Sequence, residues 1–126
     1  MQGNSVVRAE AQHFDGKVWM KELHFYRDEL KLFEHHLEKL VSKHPRDLLP
    51  KIEHFQNQFI RQHEVLDELL HELRLSEDAL FLKKDKSQKI IADPIPDHHE
   101  LQVRMDRFID LFTELKNEFV LFVQEL

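Results

Sequence analysis

The sequence predicts an all-α, up-down bundle of three long heptad-patterned helices joined in part by a long connector, and three observations lead there. Apolar residues recur at alternating spacings of four and three through most of the chain, the period of a helical seam. Only two glycines, Gly3 and Gly16, occur in 126 residues, too few for a fold rich in tight β-turns. The four prolines, Pro45, Pro50, Pro94 and Pro96, fall between or just inside the periodic segments, where they punctuate helices.

The first helix is expected over 15–44, with 1–14 as an N-terminal tail. Asp15 reads as its N-cap, with Phe14 and Trp19 placed for a hydrophobic staple. Its seam is Trp19, Leu23, Tyr26, Leu30, Phe33, Leu37 and Leu40, and Pro45 closes it. The second helix is expected over 47–74, with Pro50 tolerated in the first turn. Its seam runs Leu48, Ile52, Phe55, Phe59, Gln62, Leu66, Leu69 and Leu73, with one polar member. A lone polar residue in such a seam either fixes register or carries its amide to the bundle edge.

The third helix has the clearest start. Pro94-Ile95-Pro96 interrupts the chain, Asp97 is placed to cap, and Glu100 follows three residues later as in a capping box. Its seam is Leu101, Met105, Phe108, Phe112, Leu115, Phe119, Phe122 and Leu126, within a helix over 97–126. The connector, 75–96, opens with Ser76 as the start of a short helix through Leu82. Leu80, Phe81, Leu82, Ile90 and Ile91 make it too apolar for a free linker, so it is expected to lie on the bundle. A helix of this length spans roughly 40 Å. The connector could reach roughly 70 Å extended, so it leaves the direction of the third helix open.

Composition narrows function by exclusion. The formal net charge of −6 argues against a general phosphate-backbone binder, which needs a basic footprint. The one basic cluster, Lys83, Lys84, Lys86 and Lys89, reads as a solvated loop. Without cysteine there are no disulfides, thiolate nucleophiles or Cys-ligated metals. The two glycines cannot build a P-loop, a dinucleotide fingerprint or a nucleophile elbow. Ser5, Ser42, Ser76 and Ser87 lie in no motif that would activate a hydroxyl. No enzymatic activity and no cofactor is expected. Met1–His13 lacks the apolar core of a signal peptide, and no stretch approaches the roughly 20 apolar residues of a membrane span. A cytoplasmic protein is expected.

Ten histidines are the unusual feature. A di-iron carboxylate bundle would use inward Glu-x-x-His pairs. Two such strings occur, Glu10 with His13 and Glu68 with His71. The first precedes the expected helix, and the second falls at outward heptad positions. A hemerythrin-like set fails similarly, since His24, His35, His54 and His71 also project outward. His36 and His63 flank the seams and read first as amphipathic cover for apolar edges. They are nevertheless the best residues for an alternative function. In that reading His36 and His63, with Asp67 one turn from His63, bind a metal or dioxygen in a hemerythrin- or ferritin-like bundle.

One apolar feature lies off the seams. Val18, Phe25 and Leu32 recur every seven residues on the first helix, and Ile109, Leu111, Val120 and Val123 broaden the apolar face of the third. These residues need another partner. The connector, a second copy in a homo-oligomer such as a dimer, and another helical protein are the three possibilities. With acidic polar faces, neither nucleic acid nor a membrane surface is an expected partner. The expected function is a non-catalytic scaffold or assembly module working through Val18, Phe25 and Leu32, with Phe81 and Ile90 as possible additions from the connector.

The stretch Glu53-His54-Phe55-Gln56-Asn57-Gln58-Phe59-Ile60, with Trp19 and the Leu23–Leu30 segment, resembles small helical proteins of Bacteroidetes-type bacteria. The resemblance covers the first two helices. It implies a bacterial cytoplasmic helical protein and brings with it no activity and no site residues.

Overall fold

A computed structural model describes residues 2–44, 46–85 and 97–126, with side chains for 9–44, 46–79 and 97–126. Among the described residues three helices form: α1 (Gln2–Lys43), α2 (Leu49–Asp85) and α3 (His98–Gln124). Cross-helix pairs fix their directions. Arg27 of α1 bonds Asp67 of α2, and Glu34 bonds His63, so α1 and α2 run antiparallel. His54 donates to Glu118 at 2.8 Å while Arg104 bonds Glu72, so α2 and α3 are antiparallel too. His98 donates to Asp15 at 3.1 Å and Lys116 to Glu29 at 3.2 Å, which makes α1 and α3 parallel. The direction of the third helix, open in the sequence, is therefore up-down-up.

The three seams meet as the core. Leu23, Leu30, Leu37, Ile52, Phe55, Phe59, Leu66, Leu69, Leu73, Leu101, Met105, Phe108, Phe112 and Phe119 are all buried. Phe119 is the centre of the aromatic cluster. Its ring lies 5.2 Å from those of Phe55 and Phe59 on α2 and 5.5 Å from Phe33 on α1. Offset and edge contacts of this kind add to simple burial. Leu70, off the expected seam, is buried beside Leu69 because α2 is the middle helix and faces both neighbours. Trp19, Tyr26, Phe33 and Leu48 are only partly buried, and Leu126 at the end of the third seam is exposed.

Both helix boundaries expected from local signals need correction. The tail assigned to 1–14 is helical from Gln2, and α2 continues past residue 74 to Asp85, absorbing the start of the expected connector. Gly16 inside a helix costs about 1 kcal/mol against Ala, yet α1 passes through it. Tertiary packing outweighs that propensity term. The α1 N-terminal turns and the α2 C-terminal turns lie side by side, with Gly16 and Ala79 buried and His13 bonded to Glu77. A Cβ on Gly16 would meet the Glu77 carboxylate, so the glycine admits that side chain against α1. With no helix start at Asp15 the Phe14–Trp19 staple does not form, since residues five apart point about 140° apart; Phe14 is 67% exposed. Likewise Ser76 starts no separate helix.

At α3 the expected start is correct but its capping is not. Asp97 occupies the N-cap in extended conformation (φ −67°, ψ 136°), and Leu101 N–H donates to its carbonyl at 3.0 Å. Its side chain makes no cap hydrogen bond. Residues 86–96, including Ile90 and Ile91, lie outside the described residues, as do the side chains of Leu80, Phe81 and Leu82.

Gln62 stays inside. It is 6% exposed, and its Oε1 is buried without a hydrogen-bond partner. A buried acceptor left unpaired costs about 1–3 kcal/mol. Gln62→Leu is therefore expected to raise the urea-unfolding free energy by at least about 1 kcal/mol. Phe112→Ala should lower the same free energy by about 3–5 kcal/mol. A loss under about 1 kcal/mol would mean that the third seam does not form the core.

Candidate functional site

The chemistry of the site begins with how α1 and α3 touch. Each packs closely on α2, whereas the backbones of α1 and α3 hardly approach one another. Aromatic side chains bridge the gap instead. Tyr26 lies 4.6 Å from Phe112 and 5.8 Å from Phe108 between ring centroids, and Phe33 lies 6.2 Å from Phe112. Interhelical distance follows the size of the contacting side chains, and rings of this size hold two helices apart. The line along which these two parallel helices meet, here called the α1/α3 groove, is thus filled by side chains rather than by close backbone contact. At one end Trp19 stacks on His98 at 5.0 Å, and toward the other the His36 ring meets Phe119 edge-on at 6.0 Å.

The stripe borders this groove. At 100° per residue, Val18, Phe25 and Leu32 lie within about 40° of His36 or Glu29, the α3-facing residues of α1. They lie well over 100° from Arg27 and Glu34, which face α2. All three are exposed, at 38%, 58% and 68%, and Phe14 continues the row toward the N-terminus. On α3, Ile109 and Val120 lie within about 40° of Lys116, which faces α1. Ile109 is half-buried and Val120 is exposed. The two helices thus supply both walls of one apolar face. The expected stripe is brought together with the broadened part of α3; Leu111, by contrast, lies on the α2 side.

Polar groups mark the groove floor. The Lys116–Glu29 ion pair crosses it, and the Glu29 side chain is 19% exposed. Tyr26 sits beside this pair. Burial, followed by the negative charges of Glu22 and Glu29, raises its phenol above the usual value of 10.0. The neutral phenol is thus the form that the fold prefers.

The expected metal alternative does not assemble. His63 bonds Glu34 and Asp67 bonds Arg27, both across the α1–α2 contact. His36 turns the other way, toward α3 and Phe119. Among the described residues, no group of three His, Asp or Glu side chains is placed to hold a metal ion. Many histidines instead join helices: His13–Glu77 and His63–Glu34 link α1 to α2, His54–Glu118 links α2 to α3, and His98–Asp15 links α3 to α1. The expected helix start at Asp15 left His13 outside the first helix, and heptad phase placed His54 outward. The signal for their bonds was a carboxylate at the matching level of the next helix, readable only once the helix directions are known.

Comparison with family models, with curated proteins and with solved structures finds no match. No helix among the described residues is long and apolar enough to cross a membrane.

Tyr26 is the only tyrosine, so its ionisation can be followed by phenolate absorbance. The midpoint in the folded protein is expected above that of the urea-unfolded chain. A folded-state value raised above the unfolded one gives stability that is complete below pH about 10 and is lost as pH rises through the folded value. Tyr26→Phe should remove that part of the alkaline loss, read as the pH dependence of the urea midpoint. Identical folded and unfolded titrations would place the phenol in open solvent.

Proposed function

We propose that this protein is a non-catalytic helical interaction module of the bacterial cytoplasm, and that the α1/α3 face is its working surface. One observation carries the reading: Val18, Phe25 and Leu32 are exposed on a well-packed helix, beside a groove whose opposite wall is also apolar. Contiguous apolar surface on a soluble domain marks an interaction site, whereas single exposed hydrophobes need no explanation. The core supports the same reading from the other side. Phe55, Phe59, Phe108 and Phe112 are buried while the stripe is exposed, and Phe25 meets the aromatic cluster only edge-on through Tyr26, at 5.6 Å. The cysteine-free composition is compatible with a reducing cytoplasm, and the resemblance to small helical proteins of Bacteroidetes-type bacteria supplies the bacterial setting.

Assembly through this face follows from its shape. A row of apolar side chains beside a groove suits a helix laid along it, the usual way in which amphipathic helices meet. Light scattering of the wild type and of Phe25→Glu tests the reading. The wild type is expected to form an oligomer that the variant loses while keeping its helical circular dichroism. A variant that unfolds would make the stripe part of the core and remove the proposed working surface.

A further inference from the structure

The charges bordering the α1/α3 face identify its occupant. On α1, the exposed rim beyond the stripe carries Lys17, Lys21, Lys39 and Lys43, against Asp28 and Glu10. On α3, the corresponding outer rim carries Asp106 and Asp110 with uncharged Gln102, Thr113, Asn117 and Gln124, and no Lys or Arg. One wall of the groove is therefore edged mainly by positive charge and the other by negative charge. A surface of this kind complements itself.

Register sharpens the match. The contacts His98–Asp15 and Lys116–Glu29 place each α3 residue level with the α1 residue some 83 to 87 positions earlier. Lys21 thus stands at the height of Asp106, on the opposite rim. Lys39 and Lys43 stand at the height of the α3 C-terminus, where the helix dipole is negative.

From this geometry we infer that the face is covered by a second copy of the same chain. The two copies are related by a twofold axis running along the groove, parallel to the helices. The inference rests on the reading of this face as the working surface. A rotation about that axis lays α1 of each copy over α3 of the other and keeps every residue at its own height. Lys21 then faces Asp106 of the second copy, with Asp110 one turn on; Phe25 comes level with Ile109, and Leu32 lies within about one turn of Val120. The Lys116–Glu29 pair meets its symmetry mate with charges alternating. A twofold axis across the helices would instead lay α3 on α3 and α1 on α1, setting the acidic rim against the acidic rim and the lysine rim against the lysine rim. Like charges placed so are unfavourable, which selects the parallel arrangement.

The area is sufficient. From Phe14 to Leu32 the face is about 27 Å long and two helices, about 20 Å, wide. Two copies would bury on the order of 1,100 Å², just above the roughly 1,000 Å² expected of a specific interface. A dimer in reversible equilibrium is the form such an area supports.

Sedimentation equilibrium of the full chain decides the matter, with Lys21→Asp, the double variant Asp106→Lys/Asp110→Lys, their combination, and Phe25→Glu. All four changes are at exposed positions, and circular dichroism confirms that each variant remains helical. A wild-type dimer is expected, weakened about tenfold or more by either charge reversal and largely restored when the reversals are combined. A wild-type monomer would overturn the inference. So would a dimer abolished by Phe25→Glu but indifferent to the charge reversals, although that result would leave the α1/α3 face as the working surface. A dimer indifferent to Phe25→Glu as well would overturn both.

Discussion

The aromatic contact between α1 and α3 is the constraint on which the rest of the structure depends. Tyr26 and Phe33 reach from α1 into the Phe108, Phe112 and Phe119 ladder of α3. With aliphatic residues at these positions the two helices could settle as closely on each other as each settles on α2. Rings keep them apart and leave Tyr26 and Phe33 only partly buried along the line that the stripe borders. The same rings anchor the bundle, since Phe119 also meets Phe55 and Phe59 of α2. Core cohesion and an exposed apolar face thus share one cause.

Polar contacts then select among the packings that such a core permits. Hydrophobic seams alone tolerate several registers and directions. Ion pairs between helices, such as Arg27–Asp67, Arg104–Glu72 and Lys116–Glu29, are satisfied together only in the up-down-up arrangement. Each is partly exposed and contributes little to stability, about 0–1 kcal/mol. Their effect is on specificity. Gln62 belongs with them as a polar residue tolerated in the core at a cost in stability.

Most of this architecture was legible in the sequence because heptad spacing survives any change of topology. The seams from Leu23 to Leu40, Ile52 to Leu73 and Leu101 to Phe122 could be read residue by residue, and so could the exposed row Val18, Phe25 and Leu32. Helix ends were not legible. Gly16 and Asp15 look like a helix start, and only the neighbouring turns of α2 show why α1 continues through them. The burial of Leu70 was hidden for a related reason, since a seam three or four residues apart describes one partner and α2 has two. The opposite wall of the groove, Ile109 and Val120, was visible only as a broadening of the third seam. Which neighbour it faced awaited the direction of α3, and that direction depends on contacts distant in sequence, such as His98 with Asp15.

The parallel pairing of α1 and α3 is the central claim, because both the groove and its charged rims require it. The cysteine-free chain permits spin labels at two introduced cysteines, Lys17→Cys and Gln102→Cys, at exposed positions of nearly equal height. Their separation, measured by double electron–electron resonance in label-diluted protein, should be on the order of one helix spacing, about 10 Å, plus the label arms. With α3 reversed, the same labels would sit toward opposite ends of α3, roughly 27 Å further apart along the axis. That longer distance would contradict the fold and remove the face built on it.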